Sequence, residues 1–118
     1  MALQTYQVND KNGDHWTFVD NAAAATLTIT LPSPGAQRAW IIDSILLYTL
    51  TAVTVWDVEV LKNDGTTKIA RVGQTGATLY PNILGPIQTA TNDAAKIVFT
   101  TTGATAVELT VNAHLGVA

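Results

Sequence analysis

The chain has 118 residues, 47% hydrophobic and only 13% charged, with a net charge of −3 and no cysteine. That length bounds it to one domain with a modest core. The lack of cysteine excludes disulfides and thiolate metal sites, and the Lys and Arg residues (Lys11, Arg38, Lys62, Lys68, Arg71, Lys96) are too scattered to form a basic stripe for nucleic acid.

In chain order, residues 3–8 suit a short first strand. Asn9–Asp14, NDKNGD, reads as a turn in which Gly13 is free to take positive φ. His15–Val19, HWTFV, is a second strand, and Asp20–Ala25 a loop or short helical turn. The opening MALQTYQVND has neither a basic nor an apolar leader segment, so synthesis without export, in the cytoplasm, is expected. Ala25–Leu31, ATLTITL, alternates cleanly, with Ala25, Leu27, Ile29 and Leu31 on one face and threonines on the other. Pro32-Ser33-Pro34-Gly35 ends that strand.

The longest apolar block follows, Arg38–Lys62, rich in the residue types that fit a pleated surface. It divides into strands over about Ala39–Thr51 and Val53–Leu61. Unbroken counting puts Trp40, Ile42, Ser44, Leu46, Tyr48 and Leu50 on one face of the first. Ala39, Ile41, Asp43, Ile45 and Leu47 lie on the other. A strand apolar on both faces needs cover on both, which predicts a second chain against one of them. The block is interrupted by Asp43 and several threonines and is shorter than a membrane-spanning helix, so no membrane is expected. Asn63-Asp64-Gly65 turns the chain into a return strand, Thr66–Val72. Thr78–Gly85, with Pro81 and then Pro86, suits an edge strand or an irregular cover. Ala95–Thr102 points Ile97 and Phe99 inward. The last strand, Ala106–Leu115, sets Val107, Leu109, Val111, Ala113 and Leu115 against Glu108, Thr110, Asn112 and His114. Eight or nine short strands separated by turns, with no convincing helix, predict an all-β single domain spanning 1–118. The expected architecture is an antiparallel β-sandwich of jelly-roll type.

Three clusters have the residue types for chemistry. Asp10, Asn12 and Asp14 around Gly13 offer alternating oxygens, as a calcium loop does, but no bidentate carboxylate follows at loop spacing; Glu59 or Glu108 would have to arrive by folding. The same residues also make an ordinary turn. His15 beside Asp14 and Trp16, or His114 with Glu108, could place a base near a carboxylate, although strand positions suit surface or interface histidines equally. No nucleophile motif occurs, and the glycines cradle no phosphate. The residues therefore predict no enzyme and no cofactor. Of the tryptophans, Trp40 and Trp56 share faces with aliphatic residues and read as core or interface. Trp16 is left open as a platform for a sugar ring.

Taken in order, W-I-I-D-S-I-L-L-Y-T (Trp40–Thr49), V-E-V-L-K-N-D-G-T-T-K-I (Val58–Ile69), Y-P-N-I-L-G-P-I (Tyr80–Ile87) and the final K-I-V-F-T-T-T-G-A-T-A-V-E-L-T-V-N-A-H-L-G-V (Lys96–Val117) resemble the small all-β structural proteins of tailed bacteriophages, the head decoration (cement) proteins in particular. The resemblance covers Trp40–Val117 and leaves the first 38 residues unmatched. It implies a role rather than a site: a homotrimer on the capsid surface of a virion, assembled in the host bacterial cytoplasm, bridging copies of the major capsid protein. The residues expected at such an interface are Ile41, Ile45, Leu47, Tyr80, Ile83, Leu84 and Ile87, each of which would otherwise be monomer core. Open alternatives are a carbohydrate- or receptor-binding module, such as a spike or fibre head, and a tail or neck ring component.

Overall fold

A computed structural model of the chain describes residues 4–10, 13–23, 26–49, 55–75, 82–102 and 106–117. Among them are nine strands: β1 (Gln4–Asp10), β2 (Gly13–Ala22), β3 (Thr26–Thr30), β4 (Arg38–Thr49), β5 (Val55–Leu61), β6 (Lys68–Thr75), β7 (Asn82–Gln88), β8 (Lys96–Thr102) and β9 (Val107–Val117). β2 runs on through Asp20–Ala22, where a loop or helical turn is expected from sequence. The strands form a five-stranded sheet, β1-β2-β9-β4-β7, and a four-stranded sheet, β3-β8-β5-β6, with every pairing antiparallel. The partners nest: β5 with β6, β4 with β7, β3 with β8, β2 with β9. That is a long hairpin rolled up on itself, the topology of a jelly roll. No helix among the described residues is long and apolar enough to cross a membrane.

Period-2 alternation builds the core. In β3, Leu27 and Ile29 are buried while Thr26, Thr28 and Thr30 are exposed. β9 buries Val107, Leu109, Val111 and Ala113; β5 buries Trp56, Val58 and Val60; β8 buries Ile97 and Phe99. Trp40 is fixed at the centre of one end. Its indole Nε1 donates to Pro32 O at 2.7 Å, and its backbone N–H donates to Thr89 Oγ1 at 3.0 Å. Its ring meets Phe18 edge-on at 5.5 Å. Among the described residues β7 pairs only with β4, and this edge position accommodates Pro86, which has no N–H to give to a ladder.

β4 departs from the sequence reading. Its pairing with β9 runs Ile42↔Ala113 and then Ser44↔Asn112, so Asp43 is an extra residue in a β-bulge. The bulge switches the inward-facing parity. Before it Trp40 and Ile42 point into the core; after it Ile45 and Leu47 do, at 1% and 5% exposure. Asp43, Ser44, Leu46 and Tyr48 are left on the outer face or at the surface, with Leu46 38% and Tyr48 58% exposed. The expectation of a strand apolar on both faces came from counting through the bulge. Ile45 and Leu47 are core residues of the single chain, not interface residues.

The apex of the rolled hairpin is the turn from β5 to β6. Lys62 and Thr67 close it with an N–H···O bond of 2.9 Å, and Gly65 adopts φ 76°. Asp64 Oδ1 accepts from the backbone N–H of Thr66 and of Thr67, each at 2.8 Å, while its Oδ2 accepts from the Thr67 hydroxyl. The Asn63 N–H donates to Asp93 Oδ2 at 2.9 Å and ties the turn to the connection before β8.

Candidate functional site

The outer face of the five-stranded sheet carries the most chemistry. Register sets it in rows across β2, β9 and β4. His15 lies opposite His114; Thr17 opposite Asn112, which faces Ser44; Val19 opposite Thr110, which faces Leu46; Asn21 opposite Glu108, which faces Tyr48. The first row ends on half-buried Ile41 of β4, and the second is polar throughout. The last two combine exposed apolar side chains with polar ones.

In the first row the imidazoles of His15 and His114 lie 5.3 Å apart between ring centres, tilted by 36°. His114 Nδ1 is 2.9 Å from Asp43 Oδ2. One ligand atom from each of His15, Asp43 and His114 falls within 4.8 Å of the others, and all three side chains are partly exposed. Alternation puts Asp43 on the face of Ile41 and His114, and the bulge leaves it as an extra residue without a register partner on β9. In the second row Thr17 Oγ1 donates to Asn112 Oδ1 at 2.7 Å, and Asn112 Nδ2 donates to Ser44 Oγ at 3.0 Å. This chain of bonds ties the three strands together beside the histidines. At the far end Tyr48 borders a shallow depression of about 270 Å³ lined by Asn21, Ala22, Ala23, Ala106, Val107 and Glu108.

The expected site residues are distributed differently from the sequence reading. His114 does not meet Glu108, which lies three rows away on the same face; its carboxylate partner is Asp43 of the adjacent strand. Trp16 turns inward with Phe18, stacked on it at 6.3 Å and edge-on to Trp40 at 6.1 Å, packed against the core. It is not an exposed sugar platform. Ile41 is half-buried on the outer face, close enough to Gly116 that a Cβ there would meet its Cδ1 at 2.8 Å. Ile87 is partly buried against the core. Tyr80 and Asn12 lie outside the described residues, as do the side chains of Ile83, Leu84, Asp10 and Asp14; the backbones of Ile83 and Leu84 pair with Ile45 and Ser44. Sequence reasoning missed Asp43, Leu46 and Tyr48 as surface groups. The available signal was the adjacent polar pair Asp43-Ser44 in the middle of an otherwise apolar strand.

No protein-family model matches the chain, and no curated protein does. Among solved structures the chain is similar to the core of Drosophila NLP, whose structure is described for pentamer formation and histone binding: TM-score 0.50 and 14% identity, over 86% of this chain and 97% of that one. It is also similar to the carbohydrate-binding module TmCBM61 bound to β-1,4-galactotriose, with TM-score 0.37 and 12% identity over 98% of this chain and 70% of that one. A third is the enzymatically active domain of tailspike protein 4 from bacteriophage CBA120, with TM-score 0.39 and 15% identity over 98% of this chain, which spans 18% of that one. At these identities the likeness is one of fold.

Proposed function

We propose that the chain is a non-enzymatic assembly subunit of a tailed-phage virion: a jelly roll that forms a homotrimer and decorates the capsid by binding the major capsid protein. One observation carries the self-association. Leu46 and Tyr48 stand exposed on the same face of β4, an inner strand of its sheet, with Thr110 beside Leu46 and Val19 beyond it in the same row. Apolar groups in the interior of a sheet face are covered by another surface laid over them, not by a strand added at the edge. The low charge of the chain suits such a contact, because charged residues are depleted at the core of an interface. Binding to a shell then gains from multivalency, since a trimer on a symmetric lattice engages several weak contacts at once. This reading places the protein on the capsid surface after assembly in the bacterial cytoplasm.

The test is the mass in solution by light scattering, at two concentrations, for the chain and for Leu46→Asp. The expected result is three times 12.5 kDa for the unchanged chain, and a folded monomer for the variant. Trimers should then sediment with expanded empty heads. A monomeric parent protein would remove the assembly reading. A mass of five chains would replace the trimer by a pentamer, and point to a tail or neck ring component.

A second reading is favoured by Tyr48 itself. An aromatic ring more than half exposed, next to the polar groups of Asn21 and Glu108 in a shallow depression, is suited to stacking on a sugar. Glycan binding lost in Tyr48→Ala, with the oligomer intact, would favour it over assembly.

A further inference from the structure

We propose that His15, His114 and Asp43 form a binding site for a divalent transition-metal ion of the zinc class. This is independent of the assembly reading, because all three ligands come from one chain. Zinc bonds to imidazole and carboxylate are about 2.0–2.2 Å long, so ligand atoms on one ion stand at most about 4.4 Å apart. The three groups already offer atoms within 4.8 Å of one another. Side-chain rotation would bring the set onto one ion, and the side chains of His114 and Asp43 are 34% and 39% exposed.

The backbone organises the site before any ion arrives. His15 and His114 are direct cross-strand partners, which holds the roots of their side chains close together. Asp43 stands at the bulge, on the face of His114. The Thr17–Asn112–Ser44 chain fixes the same three strands one row below.

The donor set selects the ion. Two imidazoles and one carboxylate suit zinc and its first-row neighbours, whereas calcium and magnesium require oxygen cages. Three protein ligands at a partly exposed position leave a coordination place open to water or to a group from outside the chain. The chain has two histidines, both in this cluster, and no cysteine, so any imidazole ligand it offers comes from His15 or His114.

Calorimetric titration of the tag-free protein with Zn²⁺ at neutral pH tests this. The expected result is one ion per chain, no binding of Ca²⁺, and affinity weakened about tenfold or more in His15→Ala, His114→Ala and Asp43→Asn. Circular dichroism without metal should match across the variants. Paramagnetic Co²⁺ added to the unsubstituted chain should broaden the ring signals of both histidines together, which tests the site even if a variant fails to fold. No heat at millimolar Zn²⁺, binding that survives both histidine substitutions, preference for Ca²⁺, or broadening of only one ring would each overturn the assignment.

Discussion

Asp64 is fully exposed, yet it is the most strongly perturbed acid described. Its carboxylate accepts from the Thr67 hydroxyl and from the N–H groups of Thr67 and Thr66, in that order of effect, and these hold it far below the usual carboxylate range. The folded chain therefore binds a proton at Asp64 less readily than the unfolded chain does. The resulting stability is fully present above the ordinary carboxylate pKa of about 4 and is lost progressively as pH falls below it, toward the folded value. Asp64→Ala should lower the melting temperature by a few degrees near neutrality. The gap between variant and parent should narrow steadily below about pH 4, as thermal melts at a series of pH values would show. A gap that stayed constant into strong acid would mean that the turn depends on Asp64 for shape and not for charge. The exposed pairs Arg71–Asp57 at 2.7 Å and Lys68–Glu59 at 3.2 Å are the weaker feature of the same hairpin. Surface pairs of this kind contribute little, because water and salt screen them.

At the scale of elements, β4 holds both the clearest misreading of the sequence and the candidate site. A strand shifted by one residue exchanges its faces, and the bulge at Asp43 applies that exchange halfway along one strand. Ile45 and Leu46 are therefore neighbours with opposite fates. Ile45→Asp would bury an unpaired charge and should cost more than about 4 kcal/mol, enough to unfold the chain. Leu46→Asp should leave a folded monomer that still unfolds cooperatively. Urea melts of the two variants decide the register, since unbroken alternation assigns Leu46, with Trp40 and Ile42, to the core and would reverse the result. The strands β3, β8 and β9 are legible because nothing interrupts their period, and β5 is legible as far as Val60, where its pairing with β6 shifts. In β4 the same rule failed, because hydrophobicity alone does not reveal an extra residue. The pair Asp43-Ser44 marked the place, but a polar pair in an apolar strand fits an interrupted face as well as a bulge. Trp16 was undecided for a different reason: its inward turn follows from sharing a face with Phe18, and that face is recognisable as inner only once β2 is known to lie against β9.

The whole molecule can be understood from its apex. Glu59 pairs with Arg71, Ile42 with Ile87, Ile29 with Ile97 and His15 with His114. Each pair is centred close to Asp64–Gly65, so the turn recognised in Asn63-Asp64-Gly65 sets the approximate register of the entire chain. Extended outward, that register brings the two histidines together across a separation of nearly the full sequence. Only the hairpin itself is recognisable from sequence, since the small shifts at each bulge accumulate and hide the correspondence. The same nesting orders the closure costs of folding. β5 and β6 close a short loop, whereas β2 and β9 enclose almost everything, and longer closures cost more entropy. The apex hairpin should therefore be formed in the folding transition state, and the β2–β9 ladder should form late. Asp64→Ala should mainly slow folding, and Val111→Ala, which opens a gap in the inner face of β9, should mainly speed unfolding. Stopped-flow rates across a denaturant series separate the two. If the variants exchanged behaviour, with the β9 change slowing folding and the turn change leaving it untouched, the two sheets would have to meet before the apex closes.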